Sequence, residues 1–178
     1  MSSYVLAQII GAFAVAFMVT SYINTKKERY LFFQITCNIF YGLQFFLLNA
    51  YSAMGICIIT IIKSILFYFY EKKGHKVPLW ALLATEIATI IFGIIIFDGF
   101  DTLLPIIISC IYTYATWQKN LKLTYLTGTG ISILWIIYYA IIGAFVSISG
   151  GVFELCASII GVIKLNKLKK QSDNKETI

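Results

Sequence analysis

Charge is scarce in this chain: Asp, Glu, Lys and Arg make up 12% of its 178 residues, whereas hydrophobic residues make up 60%. A soluble domain carries about a quarter charged residues and about half apolar ones, so this balance excludes a water-soluble globule. Histidine occurs once, as His75, within the polar stretch EKKGHKVP, and reads as a solvated loop residue. The four cysteines, Cys37, Cys57, Cys110 and Cys156, fall in four different apolar stretches with no CxxC and no neighbouring histidine. Neither a zinc site nor a disulfide framework is indicated, and they read as packing residues. No phosphate loop, nucleophile elbow or HExxH pattern is present, and the carboxylates are too scattered to form a catalytic pair by spacing. The sequence therefore predicts no enzyme, no metal and no cofactor.

What the chain does have is hydrocarbon. Apolar stretches fall at 4–24, 30–48, 52–70, 79–97, 102–118, 123–144 and 147–165, each close to the roughly 20 residues that cross a bilayer as a helix. The prediction is an all-α integral membrane protein of seven transmembrane helices. A strand barrel is disfavoured because the runs are continuously apolar rather than alternating. Basic residues test the count independently, since Lys and Arg in short loops stay on the cytoplasmic side. Lys26, Lys27 and Arg29 follow the first span, Lys72, Lys73 and Lys76 the third, Lys119 and Lys122 the fifth, and the lysines from Lys164 to Lys175 the seventh. The connections around Asn49, from Asp98 to Asp101 and from Val146 to Ser149 hold none. Every basic loop thus lies on one face, which predicts an outside N-terminus and a cytoplasmic C-terminus. The net charge of +6 follows from this bias, with some attraction to anionic lipid, and calls for no nucleic acid. The first span is not read as a cleaved signal, because its basic residues follow the apolar run instead of preceding it. The tail from 167 to 178 reads as solvated and partly disordered.

Splitting the chain around its fourth span gives residues 1–71 as one three-helix repeat, 72–98 as a cytoplasmic loop and connector helix, and 99–166 as a second three-helix repeat. Parallel repeats of this kind recur in transporters. Sliding one half over the other by about 94 positions pairs Gly11 with Pro105, Asn38 with Ser132 and Tyr41 with Trp135. Helical wheels at 100° per residue give each span a lipid side and an interior side. Gln34, Asn38, Tyr41, Phe45 and Asn49 share one face of span two, opposite Ile39, Phe40, Leu43 and Leu47. On span six, Thr124, Thr127, Gly128, Trp135 and Tyr138 cluster away from Leu126, Ile133, Ile136, Ile137 and Ile141. Cys57, Thr60, Lys63 and Ser64 share a face of span three, and Ser147, Gly150, Gly151, Glu154, Ala157 and Ser158 one of span seven.

Lys63 sits in the middle of the run GICIITIIKSILFYFY, where a charged side chain costs roughly 3 kcal/mol on insertion scales. Three placements stand: an ion pair with Glu154 across a pseudo-two-fold axis, a pair with Glu86 of span four, or snorkelling to the cytoplasmic headgroups. Asn38, Tyr41, Thr60, Tyr112, Trp135 and Tyr138, with Lys63 and Glu154, form the expected substrate pathway. Gly11, Pro105, Gly150 and Gly151 are candidate hinges, although small residues also serve close helix packing. Asp101 is expected to cap the fifth helix.

The segments YVLAQIIG, KKERYLFFQ, FFLLNA and LLPIIISCIYTYATWQ resemble the YgjV-type bacterial inner-membrane proteins over nearly the whole chain. More distantly, ILWIIYYAIIGAFVSISGGV is similar to the sixth-to-seventh-span pattern of SWEET and PQ-loop transporters, with a tryptophan, a tyrosine three residues on and a Gly-bearing turn. That resemblance implies a 3+1+3 plan and passage of small metabolites by rocking of two three-helix bundles. The chain departs from it in having no PQ dipeptide in spans one or five, and in carrying Lys63 and Glu154 where the sugar transporters carry asparagines. An ionisable solute, or coupling to protons, is expected in place of a neutral sugar. The expected partners are the lipid bilayer and a small solute, with self-association open. The competing expectation is a lipid-binding or complex-stabilising membrane subunit in which the same polar faces hold helices together.

Overall fold

The computed structural model describes residues 3–49, 51–97, 100–141 and 145–176, without the side chains at 52, 100–102, 139, 141, 145–147, 170 and 172–176. The described residues form seven helices: α1 (Ser3–Ile23), α2 (Lys27–Leu47), α3 (Tyr51–Lys72), α4 (Leu79–Ile95), α5 (Phe100–Trp117), α6 (Leu121–Ile141) and α7 (Phe145–Glu176). Five of them, α1, α2, α3, α6 and α7, carry stretches long and apolar enough to cross a membrane; α4 and α5 are apolar but shorter. The cap expected of Asp101 and the interior position expected of Ser147 lie outside the described residues.

Short connections make sequence neighbours run antiparallel. Accordingly α1 packs on α2, α2 on α3, α5 on α6 and α6 on α7, while α7 returns to α1 and α3 meets α5. These six helices close a circuit. Helix α4 lies against α5 and α3, and its other face, including Trp80, Ile87, Ile91 and Ile94, is exposed. Large exposed side chains of this kind line the outward faces of every helix, as expected where lipid replaces water as solvent.

Most interior positions read from the sequence are buried, except on α2, where Asn38, Tyr41 and Phe45 are half-buried, Asn49 is exposed, and Cys37 and Gln44 take the buried positions beside Gln34. Gln34, Cys57, Thr60, Lys63, Ser64, Thr124, Gly150, Gly151, Ala157 and Ser158 are buried, while Ile39, Leu43, Leu126, Ile133 and Ile137 are exposed. One expectation is overturned: from residue 167 the tail continues α7 as helix to Glu176. No Gly or Pro follows Gly161, and Lys, Gln and Glu are good helix formers, so nothing stops the helix where the membrane ends.

Lysines of the basic loops also tie helix ends together, where unsatisfied carbonyls and the helix dipole favour cations. Lys27 donates to the Gln118 carbonyl beyond α5. Lys164 donates to the Ile23 carbonyl at the end of α1 (2.8 Å). Trp117 Nε1 reaches the Val77 carbonyl at 2.9 Å, pinning the α3–α4 loop to α5.

Candidate functional site

Below this basic end lies a layer of buried tyrosines. Tyr22, Tyr30 and Tyr125 are fully buried and form a triangle with ring centroids 5.2 to 5.6 Å apart. Separations in that range are attractive beyond the area buried. Tyr22 fits because Gly128 of α6 and Gly161 of α7 present no side chain to it; a Cβ on Gly128 would lie 2.6 Å from the Tyr22 hydroxyl. Each hydroxyl is spoken for, as buried phenols require. Tyr125 donates to the Ser21 carbonyl (3.1 Å), Tyr30 shares a hydrogen bond with Tyr112 (2.7 Å), and Tyr22 donates to Glu154 Oε1 (3.1 Å).

The two membrane-interior charges are held apart. Lys63 is 1% exposed, so it does not snorkel. Its ammonium donates to Thr113 Oγ1 (2.5 Å) and Ser109 Oγ (3.1 Å) on α5 and stands over the Tyr112 ring, 5.5 Å from its centroid. Glu154 faces Tyr22 on α1 instead. The expected Lys63–Glu154 ion pair is therefore not formed. The physical reason is the circuit: Lys63 points into the α3–α5 contact and Glu154 into the α7–α1 contact, and these are different seams of the ring. Glu86, the other carboxylate considered for Lys63, lies on α4, which packs against both α3 and α5. The charges remain linked through aromatic groups, running from Lys63 over Tyr112, through Tyr30 to Tyr22 and on to Glu154.

Towards the lysine-free end the packing opens. A cavity of about 570 Å³ lies between α1, α2 and α7, within the usual range for small-molecule sites. Its polar groups come from Gln8, Tyr41, Gln44 and Ser149; its walls include Val15, Val19 and Phe153. From Gln8 to Val19 it follows α1 over eleven residue steps, about 16 Å at helical rise. Gly11 and Gly150 line it where side chains would fill it: a Cβ on Gly11 would lie 2.5 Å from Gln44 Nε2, and one on Gly150 3.2 Å from Val15. Tyr41 Oη points to Met18 Sδ at 3.9 Å. Glu154 lies one turn towards the basic end from Gly150 on the same face of α7, so the tyrosine layer begins where the cavity ends.

Of the residues expected to form one pathway, the structure brings Tyr41, Gly11 and Gly150 to the cavity. Asn38 donates to the Gln34 carbonyl of its own helix (2.8 Å). Trp135 and Tyr138 pack edge to face on α6, 5.6 Å apart, away from the cavity lining. Thr60 is buried on α3, Tyr112 joins the tyrosine layer, Gly151 abuts Ile136 and Pro105 is buried within α5. Sequence reasoning missed Gln8, Gln44, Tyr22, Tyr30 and Tyr125. A signal existed for the glutamines, because amides inside apolar spans are rare enough to mark sites. Tyrosines near span ends read equally as interfacial belts.

A ring of apolar helices with lipid-like outer faces, interior charges satisfied by hydroxyls and a cavity at one end is the architecture of a multi-pass membrane protein. The chain belongs to the YgjV family of bacterial inner membrane proteins, whose family model matches residues 5–172, and it resides in that membrane. Neither the curated proteins nor the solved structures contain a match to it.

Proposed function

We propose that this protein is a small-solute transporter or facilitator and not an enzyme. The cavity between α1, α2 and α7 is its entrance from outside, and the tyrosine layer is its inner seal. In this reading α1–α3 and α5–α7 are two parallel repeats, α4 is the connector of a 3+1+3 plan, and the basic end is cytoplasmic, in keeping with the resemblance to SWEET and PQ-loop transporters. The observation that carries the reading is the asymmetry along the ring axis: open at one end, with no charged side chain among the described lining residues, and closed by Tyr22, Tyr30, Tyr112, Tyr125 and Glu154 at the other. Alternating access needs such a state, with one end sealed while the other admits solute. A second reading, a membrane subunit that moves nothing, draws on the same layer, since its hydroxyls and charges are all engaged within the protein.

Proteoliposomes loaded with a mixture of charged and uncharged small metabolites test the choice. Protein-dependent loss of at least one solute is expected, abolished by Ala12→Trp, which places a large ring in the cavity from a residue exposed at its edge. Folded protein that releases no solute from the mixture would leave the subunit reading standing.

A further inference from the structure

Among the described residues the lining of the cavity contains no charged side chain, and its polar groups are the amides of Gln8 and Gln44 with the hydroxyls of Tyr41 and Ser149. Gln44 is buried at 4% exposure and held against the bare Cα of Gly11, its amide atoms 2.5 to 2.7 Å from where a Cβ would stand. Gln8 lines the same wall, and its Oε1 is a buried acceptor with no hydrogen-bond partner. A buried acceptor left unsatisfied is costly and uncommon. The oxygen is covered, but the terminal torsion of glutamine is broad and two-fold, which leaves the amide free to turn to a donor in the cavity. An acyl chain offers no such donor, and an ion entering would lose its hydration with no opposite charge among the lining residues to replace it. The nearest carboxylate on α7, Glu154, is engaged with Tyr22.

From these features we infer that the cavity binds an uncharged solute carrying N–H or O–H donors beside an apolar portion, recognised by the amides of Gln8 and Gln44. The inference rests on the cavity being the solute entrance proposed above, and it reverses the expectation of an ionisable solute that Lys63 and Glu154 suggested in the sequence. The apolar portion lies against Val15, Val19 and Phe153. Gly11 acts as a positioning residue, because any side chain there displaces the Gln44 amide.

Four probes of one shape separate the chemistry: benzamide, N,N-dimethylbenzamide, benzoate and benzylammonium. Equilibrium dialysis against the full-length protein in detergent is run with wild type and Gln8→Leu in parallel, so that partition into micelles cancels. Gln8 Oε1 has no internal bond for the variant to lose; Ala12→Trp, which fills the cavity, is the second control. Benzamide is expected to show excess binding to wild type at least tenfold above the other three, and to lose it in both variants. Benzoate, benzylammonium or the dimethyl amide binding as well as benzamide would overturn the inference, as would benzamide binding that Gln8→Leu leaves unchanged. The proteoliposome flux is a separate readout. The expected ranking without flux of any solute ends the transport reading and upholds the site; flux confined to charged solutes overturns the site's assignment and keeps transport.

Discussion

At the scale of single residues, the tightest fit in the molecule is the one the sequence disguises best. Twelve tyrosines are spread along the chain, and nothing in their spacing separates Tyr22, Tyr30 and Tyr125 from those that sit at the membrane surface. Their role depends on which glycines face them across other helices, and that is decided by packing. Gly161 is one of these. A Cβ there would lie 2.5 Å from the Tyr125 ring and 2.7 Å from the Tyr22 carbonyl oxygen, whereas a Cβ on Gly130 meets nothing within 4 Å. Ring and backbone cannot both step aside, so Gly161→Ala is expected to destabilise by about 1–3 kcal/mol through overpacking. Gly130→Ala removes only the conformational freedom of glycine and is expected to gain about 0.5–1 kcal/mol. Thermal unfolding in detergent checks the pair: the midpoint falls by several degrees for the first and holds or rises for the second. Equal midpoints would mean that the Tyr22–Tyr125 contact is looser than described.

Among the elements, the α3–α5 seam shows what was and was not legible. That Lys63 faces inward followed from its helical face, shared with Cys57, Thr60 and Ser64. Which partner it meets did not follow, because a wheel gives the azimuth on one helix and says nothing about which other helix stands opposite. The repeat placed Glu154 nearby by symmetry, yet the circuit puts α5 before Lys63 and α1 before Glu154. A buried charge held by neutral hydroxyls is weak evidence for stability, since a hydrophobic replacement of similar size is often neutral or stabilising. Lys63→Met is therefore expected to leave the midpoint unchanged or raise it. Thr113→Val leaves the ammonium buried with its shortest hydrogen bond gone, and is expected to destabilise by about 1–3 kcal/mol. The double variant should recover most of that loss, because the group left unsatisfied is no longer there. Unfolding midpoints of the three variants test the cycle. A double variant less stable than Thr113→Val alone would show that Thr113 matters for some reason other than Lys63. The C-terminal end of α7 is the other lesson at this scale: low hydropathy and high charge marked the stretch as solvated, but those properties do not stop a helix.

For the whole molecule, composition and the apolar runs made class, the seven helices and location readable, because a bilayer imposes such runs on any chain that crosses it. Closure of the ring and the position of the cavity were not readable, since both depend on contacts between α7 and α1 and between α3 and α5, far apart in sequence. The polarity of that cavity is what the lysines predict. Its glutamines and Ser149 stand at the helix ends away from every basic loop, so the tendency of Lys and Arg to stay in the cytoplasm predicts an opening to the outside. Single cysteines in a background without the four native ones read this directly. Ser149→Cys at the rim is expected to react with a membrane-impermeant maleimide added to intact spheroplasts, whereas His75→Cys in the exposed α3–α4 loop reacts only after permeabilisation. Val19→Cys, at the deep end of the wall, should react more slowly than Ser149→Cys and be protected by Ala12→Trp, because the reagent must pass the cavity to reach it. Labelling of His75→Cys before permeabilisation would invert the molecule in the membrane and turn the cavity into a cytoplasmic one. Rapid labelling of Val19→Cys despite the plug would mean that the reagent reaches Val19 from outside by a path that Ala12 does not line.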